Sequence, residues 1–320
     1  LEGAAGALAE VRPQEAGPLR QAAAEYRRHV LRAFSAQRSQ MPVVPLRDGT
    51  WVPPCPSSLY CYGLTREFFG GVSATGHDVE VGGNHLIPLG LLPPLSREAD
   101  AIVDYLEDRW FLIDGIFGAY PADENAADWF NRGGFAKLQP HYARTSDIHA
   151  ARDDVRPFVR TYFNTFPVLL NRENLTFWEH LNHGGAWNKT HESAWFLQMT
   201  RTMLLTERND ELWLAPFVTT HWLQDGMQVA VTRAPTRFGP ASYTLRSAIS
   251  TGYIEATIQA PTDRPPARIV LRVRHPAGRR IASVTVDGRP HTDFDPATQL
   301  IRLTPTTAPI TARISFDGGP

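Results

Sequence analysis

The spacing of apolar residues changes once along this 320-residue chain, near residue 215, and this change constrains the fold more than any other feature. Before it, apolar residues recur every three to four positions, as on one face of an amphipathic helix. After it, they alternate with polar residues in short runs, as in strands with one buried face. The sequence therefore predicts a mainly α part over residues 1–215, followed by a β part over residues 216–320.

Helical periodicity predicts at least five helices in the first part. The longest runs from about Gln14 to Gln37, and its apolar face is formed by Leu19, Ala22, Tyr26, Val30 and Phe34. The others begin after a Ser96 cap, after Gly134, near Ala150 and after Thr190. Pro157 fits the helix that begins near Ala150 only if it lies in the first turn. Long loops over residues 41–95 and 114–134 separate these helices, and loops of such length are commonly functional.

Short strands recur at about ten-residue spacing after residue 216. Alternating apolar residues mark them, among others Met227, Val229, Val231, Ile269, Leu271, Val273, Val284, Val286, Ala312, Ile314 and Phe316. Turn sequences separate them at Asp225-Gly226, Pro276-Ala277-Gly278 and Asp287-Gly288. This pattern predicts an antiparallel β-sandwich.

Composition excludes several classes of protein. Apolar residues make up 42% and charged residues 20%, as in ordinary globular proteins, and the net charge of −1 disfavours a nucleic-acid binder. No apolar run approaches the ~18 residues that a membrane span needs. The two cysteines, Cys55 and Cys61, are too few for a disulfide-dense scaffold or a cysteine-only zinc site, and they leave the redox compartment open.

Residues 171–195 carry the densest set of chemically useful side chains. This segment holds three of the eight tryptophans, three of the eleven histidines and one of only two lysines in the chain. Indole faces stack on the C–H faces of sugars, and carboxylates and amides bind sugar hydroxyls. The segment therefore predicts a carbohydrate site.

Three carboxyl groups are candidate catalytic residues: Glu179 and Glu192 in this segment, and Asp114 after the apolar run 111–113. Glycoside hydrolysis uses two carboxyl groups, roughly 5–5.5 Å apart for retention and roughly 6.5–9.5 Å apart for inversion. Structural explanations exist for the first two. An acid in the first turn of a helix is favoured by the helix dipole, which fits Glu192, and Glu179 fits a salt bridge.

Other side chains near these carboxyl groups are candidates for binding the substrate: Trp178, His180, Trp187, Asn188, Lys189, His191 and Tyr142. A catalytic zinc is disfavoured, because His191-Glu192 lacks the second histidine of the H-E-x-x-H motif. His180 and His183 lie in a stretch without helical periodicity. We therefore expect no metal and no cofactor.

Several blocks of sequence resemble the six-hairpin glycosidase-like proteins, which are (α/α) toroids followed by a C-terminal β-sandwich. The blocks are 134–142 (GFAKLQPHY), 152–158 (RDDVRPF), 177–180 (FWEH), 187–192 (WNKTHE), 212–217 (LWLAPF), 234–239 (APTRFG) and 271–276 (LRVRHP). The resemblance covers most of residues 40–318 and implies a cleft for carbohydrate lined by the inner helices and their loops.

The resemblance also implies an incomplete (α/α)6-type toroid. A full toroid has twelve helices, whereas about 215 residues supply five to seven, so we expect further hairpins upstream of Leu1. Part of the active site, with one catalytic carboxyl group, would then lie outside this chain. No catalytic residue is transferred from the family by a motif, and the assignment of Glu179, Glu192 and Asp114 rests on residue chemistry.

Three functions follow as hypotheses, each with a polysaccharide or an oligosaccharide as partner and none with nucleic acid or a membrane. The first is a glycoside hydrolase. The second is a polysaccharide lyase, in which Asn188, His191 and Tyr142 act on a uronate with Lys189 and Arg172 nearby. The third is a carbohydrate-binding protein without catalysis. Export fits a polysaccharide-degrading enzyme, but the sequence sets neither the compartment nor the oligomeric state.

Overall fold

A mainly helical part precedes a mainly β part along the chain, as predicted. The computed structural model describes residues 1–40, 43–46, 48–53, 82–108, 144–179 and 186–318. These residues form two compact units, Leu1–Ser193 and Ala194–Pro320. The predicted domain division at residues 215 and 216 stays a prediction, and the first strands that belong to the large sheets begin earlier, at Leu205.

The first unit begins with helix α1 (Glu2–Val11) and helix α2 (Pro13–Arg38). The helical conformation is interrupted at Arg12. Pro13 begins α2, because proline is tolerated at the first helical position, where no N–H is needed. The predicted helix from about Gln14 to Gln37 is confirmed. Its buried face is rotated from the predicted one, however, because small Ala16 and Ala23 are buried while Tyr26 is 67% exposed.

A short hairpin and a third helix follow. Strands β1 (Val44–Pro45) and β2 (Trp51–Val52) pair in antiparallel register. Helix α3 (Arg97–Leu106) begins as predicted after Ser96, whose hydroxyl oxygen accepts a hydrogen bond from the Ala99 N–H at 3.2 Å. A serine at this position satisfies one of the N–H groups that a helix start leaves unpaired.

The predicted helix from about Ala150 is instead two helices, α4 (Thr145–Arg152) and α5 (Val155–Leu169). Asp153 lies between them with a φ of 63°, a left-handed conformation that ends α4. Pro157 is the third residue of α5 and therefore lies in its first turn, as its chemistry requires. Strands β3 (Leu170–Asn171) and β4 (Thr176–Phe177) form a hairpin, and helix α6 (Thr190–Leu204) follows.

The second unit contains two mostly antiparallel sheets. One has the strand order β13-β14-β10-β6-β5, with β5 (Leu205–Arg208), β6 (Glu211–Leu214), β10 (Arg268–Arg272), β13 (Phe294–Asp295) and β14 (Leu300–Leu303). The other has the order β12-β11-β15-β9-β8-β7, with β7 (Gln228–Ala234), β8 (Ala241–Ala248), β9 (Tyr253–Gln259), β11 (Ile281–Val286), β12 (Arg289–His291) and β15 (Ile310–Phe316). Only β6 and β10 pair in parallel among these strands.

Both sheets contribute to one hydrophobic cluster. Leu212 and Leu271 come from the five-stranded sheet, and Leu245, Ile254 and Ile314 from the six-stranded sheet, and all five are fully buried. Alternation places these side chains on one face of each strand. Turns join the strands where the sequence predicts them: at Asp287-Gly288, both residues have positive φ, 49° and 77°, as a two-residue hairpin turn requires.

Among the described residues, no helix combines the length and apolar character that crossing a membrane requires.

Candidate active site

Backbone hydrogen bonds hold two parts of the predicted carbohydrate segment side by side. The Glu179 N–H donates to the Ala186 carbonyl at 2.9 Å, and the Lys189 N–H donates to the Phe177 carbonyl at 3.0 Å. Residues 186–189 therefore run antiparallel to residues 177–179, next to the β3–β4 hairpin. This arrangement brings Glu179 and Lys189 together although ten positions separate them in the sequence.

Side chains of the hairpin itself fix this geometry. The Asn174 Oδ1 accepts the Thr176 N–H at 3.1 Å, and the Asn171 Oδ1 accepts the Glu173 N–H at 3.1 Å. Such turns are typical of asparagine, whose side chain can replace a backbone carbonyl. The Thr176 hydroxyl lies 2.7 Å from the Trp187 carbonyl, to which it can donate, so the turn is tied to the segment that carries Lys189.

Glu179 is held at both carboxylate oxygens. The Lys189 ammonium donates to Oε1 at 2.6 Å, and the Ala186 N–H donates to Oε2 at 3.2 Å. The hydrogen bond with Glu179 raises the pKa of Lys189, and the charge of Glu192 raises it further. The Glu179 side chain is nevertheless 23% exposed. It is thus an oriented carboxylate that solvent can reach.

Glu192 occupies a different environment. It lies in the first turn of α6, as predicted, and its side chain has no exposed surface. The Nδ1 atom of His191 lies 3.4 Å from its Oε1 atom, and the His191 side chain is itself well exposed. When ionised, Glu192 acts on the charge of Lys189, as Glu179 does, so both carboxyl groups belong to one electrostatic cluster.

An aromatic side chain accompanies this cluster. Trp187 is 49% exposed, and it precedes the exposed Asn188 in the sequence. Trp178 is half-buried beside Glu179 in the sequence. An exposed indole and an exposed amide thus precede Lys189 in the sequence, and indole, amide and carboxylate groups are those that bind sugars.

The remaining predicted site residues, Asp114, Tyr142 and His180, lie outside the described residues, as do His183, Cys55 and Cys61. The helix predicted after Gly134 also lies there. Within the ranges that the structure describes, no three His, Cys, Asp or Glu side chains are placed to hold one metal ion.

Sequence analysis missed a second charged cluster, which lies in the first unit. Glu107, directly after α3, forms an ion pair with Arg160 of α5 at 2.5 and 2.7 Å and contacts the ring of His149 at 3.0 Å. Burial raises the pKa of Glu107, but Arg160 and His149 outweigh it and lower that pKa to about 2. The signal available in the sequence was an arginine inside the apolar face of a helix, since Arg160 falls among Phe158, Val159 and Tyr162.

Comparison with known proteins adds little to this site. No protein-family model matches the chain, and no curated protein matches it. One solved structure titled "Glycoside hydrolase" is similar at 10% identity and a TM-score of 0.35, over 69% of this chain. The chain spans 42% of the length of that structure. A likeness of this size supports no argument about function, which must rest on the site itself.

Proposed function

We propose that this chain belongs to a carbohydrate-active enzyme, specifically a glycoside hydrolase whose substrate-facing carboxylate is Glu179. The observation that carries the proposal is the oriented, partly exposed Glu179–Lys189 pair, with the exposed Trp187 two residues before Lys189 in the sequence. The indole would stack on a sugar ring, and Asn188 would bind its hydroxyls. The substrate would be a polysaccharide or an oligosaccharide.

The contact with Lys189 suits one of the two carboxyl roles in glycoside hydrolysis. An ammonium group at 2.6 Å stabilises negative charge on Glu179. An ionised carboxylate can activate a water molecule or attack the anomeric carbon, whereas the other carboxyl group must be protonated to donate to the leaving oxygen. We therefore assign Glu179 to the base or nucleophile role.

Glu192 is the second carboxyl group of the proposal. Since burial disfavours charge, a carboxyl group without exposed surface is a reasonable proton donor, as in other enzymes that keep an acid in an apolar site. Contact with a substrate would require the first turn of α6 to open. Without opening, Glu192 would instead position Lys189 and thereby Glu179, and Asp114 or a residue outside this chain would be the acid.

The proposed architecture is the incomplete (α/α) toroid followed by a β-sandwich that the sequence resemblance implies. The order of helices and strands and the core shared by two sheets support it. Tyr142 and His180 would then complete the carbohydrate site, next to Trp178 and His191.

The test is the activity of carboxamide variants of the full-length protein on a panel of polysaccharides, measured as new reducing ends. Glu179→Gln should lower kcat at least about 100-fold, the lower end of what general acid or base catalysis contributes. Glu173→Gln is the matched control, because Glu173 is exposed in the same hairpin, and it should keep full activity. Full activity of Glu179→Gln would refute the assignment.

Glu192→Gln separates the two roles left open for that residue. If Glu192 is the proton donor, its loss lowers kcat for substrates with poor leaving groups much more than for activated aryl glycosides. A positioning residue lowers kcat for both classes of substrate to the same degree. The unfolding temperature of each variant shows whether the fold is intact.

A further inference from the structure

The most unusual buried group of the first unit is His149 of α4, whose side chain is 2% exposed and lies between two carboxylates. Its Nε2 atom is 3.0 Å from the Glu107 Oε1 atom, and its Nδ1 atom is 3.4 Å from the Asp154 Oδ2 atom. A histidine ring offers two N–H donors only when it is protonated, and an ionised carboxylate can only accept. The surroundings of His149 therefore match an imidazolium ion.

Each of these carboxylates also has an arginine partner. Arg160 of α5 donates to both oxygens of Glu107, at 2.5 and 2.7 Å. The Arg152 Nε–H donates to the Asp154 Oδ2 atom at 2.8 Å, and the Arg152 Nη1 group donates to the Asp100 Oδ1 atom on α3 at 2.9 Å. Charged contacts thus join α3, α4 and α5 through side chains that are far apart in the sequence.

We propose that these six residues form a pH-sensitive lock that holds α3, α4 and α5 together in a mildly acidic medium and loosens when His149 loses its proton. The six residues, called the ionic lock below, are Asp100, Glu107, His149, Arg152, Asp154 and Arg160. When His149 is neutral, one ring N–H remains for two carboxylates, and the other ring nitrogen presents a lone pair to a negative charge.

The direction of the pH effect follows from the groups around the ring. Burial lowers the pKa of His149, but the hydrogen bonds with Asp154 and Glu107 outweigh burial and the opposing charge of Arg160, so the pKa is raised. A raised folded-state pKa gives stabilisation that is complete below the ordinary value of about 6.5 and is lost as the pH rises through the folded-state value.

At low pH, protonation of the carboxylates weakens the ionic lock. Asp154 and Glu107 both have lowered pKa values, so their contributions are present above the ordinary carboxyl values and are lost as the pH falls through the folded-state values. Asp104 lies one helical turn after Asp100 on α3. Burial raises the pKa of Asp104 most, and the negative charge of Asp100 raises it further. The ionic lock is therefore strongest between about pH 4.5 and about pH 6.5.

The ionic lock also bears on the candidate active site. The carbonyl of Leu169, the last residue of α5, accepts the Trp178 N–H at 2.8 Å. The Phe166 ring of α5 packs edge-on against Phe177, with 5.7 Å between the ring centroids. The residues that precede Glu179 are thus held in place by contacts with α5. Loosening of α5 should therefore make their positions less fixed, whatever reaction the site performs.

Hydrogen exchange of the full-length protein, corrected for the intrinsic effect of pH, tests the proposal peptide by peptide. In the wild type, protection of α4 and α5 should fall as the pH rises from about 6 to about 9, while protection of β15 in the second unit stays level. In His149→Gln, protection of α4 and α5 should be lower at about pH 6 and should no longer depend on pH over this range. His29→Gln, which changes an exposed histidine of α2, should behave as the wild type.

Three results would overturn the ionic lock: level protection of α4 and α5 in the wild type, the same decline in His149→Gln as in the wild type, or loss of the decline in His29→Gln. If His149→Gln does not fold, Asp154→Asn decides. This variant removes the negative charge next to the His149 Nδ1 atom and keeps the Glu107–Arg160 pair, so the decline should begin at a lower pH than in the wild type. An unchanged onset would refute the proposal.

Discussion

Replacing Arg160 by Met should destabilise the first unit by about 3 kcal/mol at neutral pH. Against the effect of burial, Arg160 and His149 together lower the pKa of Glu107 from the ordinary 4.5 to about 2, which corresponds to about 3.5 kcal/mol at about 1.4 kcal/mol per pKa unit. Arg160 donates to both carboxylate oxygens, so we assign most of this energy to it. Glu107 is only 18% exposed, so solvent screens the pair weakly. Removal of one partner from other buried ion pairs costs about 3–5 kcal/mol, which agrees with this value.

Urea unfolding followed by helical circular dichroism measures the loss, with Arg156→Met as the control. Arg156 lies on the same helix but is exposed, and surface substitutions usually change stability by less than about 0.5 kcal/mol. Because the pKa of Glu107 is lowered, its contribution is full above about pH 4.5 and disappears towards about pH 2. The difference between Arg160→Met and the wild type should therefore shrink in acid. A loss below about 1 kcal/mol at neutral pH, or a difference that does not shrink, would refute the reasoning.

Two further predictions concern a helix cap and a residue of the hydrophobic core. Ser96→Ala removes the cap of α3 and should cost about 1 kcal/mol, which faster hydrogen exchange in the first turn of that helix would show; unchanged exchange there would argue against the cap. Leu212→Ala empties a fully buried position between β5 and β10 and should cost about 2–5 kcal/mol in urea unfolding; a cost below about 1 kcal/mol would mean that the core of the second unit closes over the cavity.

Features determined by neighbouring residues were predictable from the sequence. The longest helix, the Ser96 cap and the turn at Asp287-Gly288 all follow from local chemistry, and the structure has each of them. The break between α4 and α5 was missed, because Asp153 adopts a left-handed conformation for which a Gly or an Asn gives a much stronger signal.

Features that depend on long-range pairing were not predictable. Glu107 lies 42 positions from His149 and 53 from Arg160, so no local pattern links them. The structure also distinguishes Glu179, which is partly exposed and ion-paired, from Glu192, which is fully buried. The sequence favoured the two residues about equally as catalytic carboxyl groups. It could not separate them, because the burial of a side chain in the first turn of a helix depends on which elements pack against that turn.

The products formed by the full-length protein test the central claim most directly. The protein is incubated with neutral and with uronate-containing polysaccharides, and the products are separated and identified. A hydrolase gives new reducing ends and no unsaturated sugar, and the wild type should do so while Glu179→Gln does not. A product that absorbs in the near ultraviolet would indicate a lyase, and binding without any cleavage would indicate a carbohydrate-binding protein; either result would contradict the account.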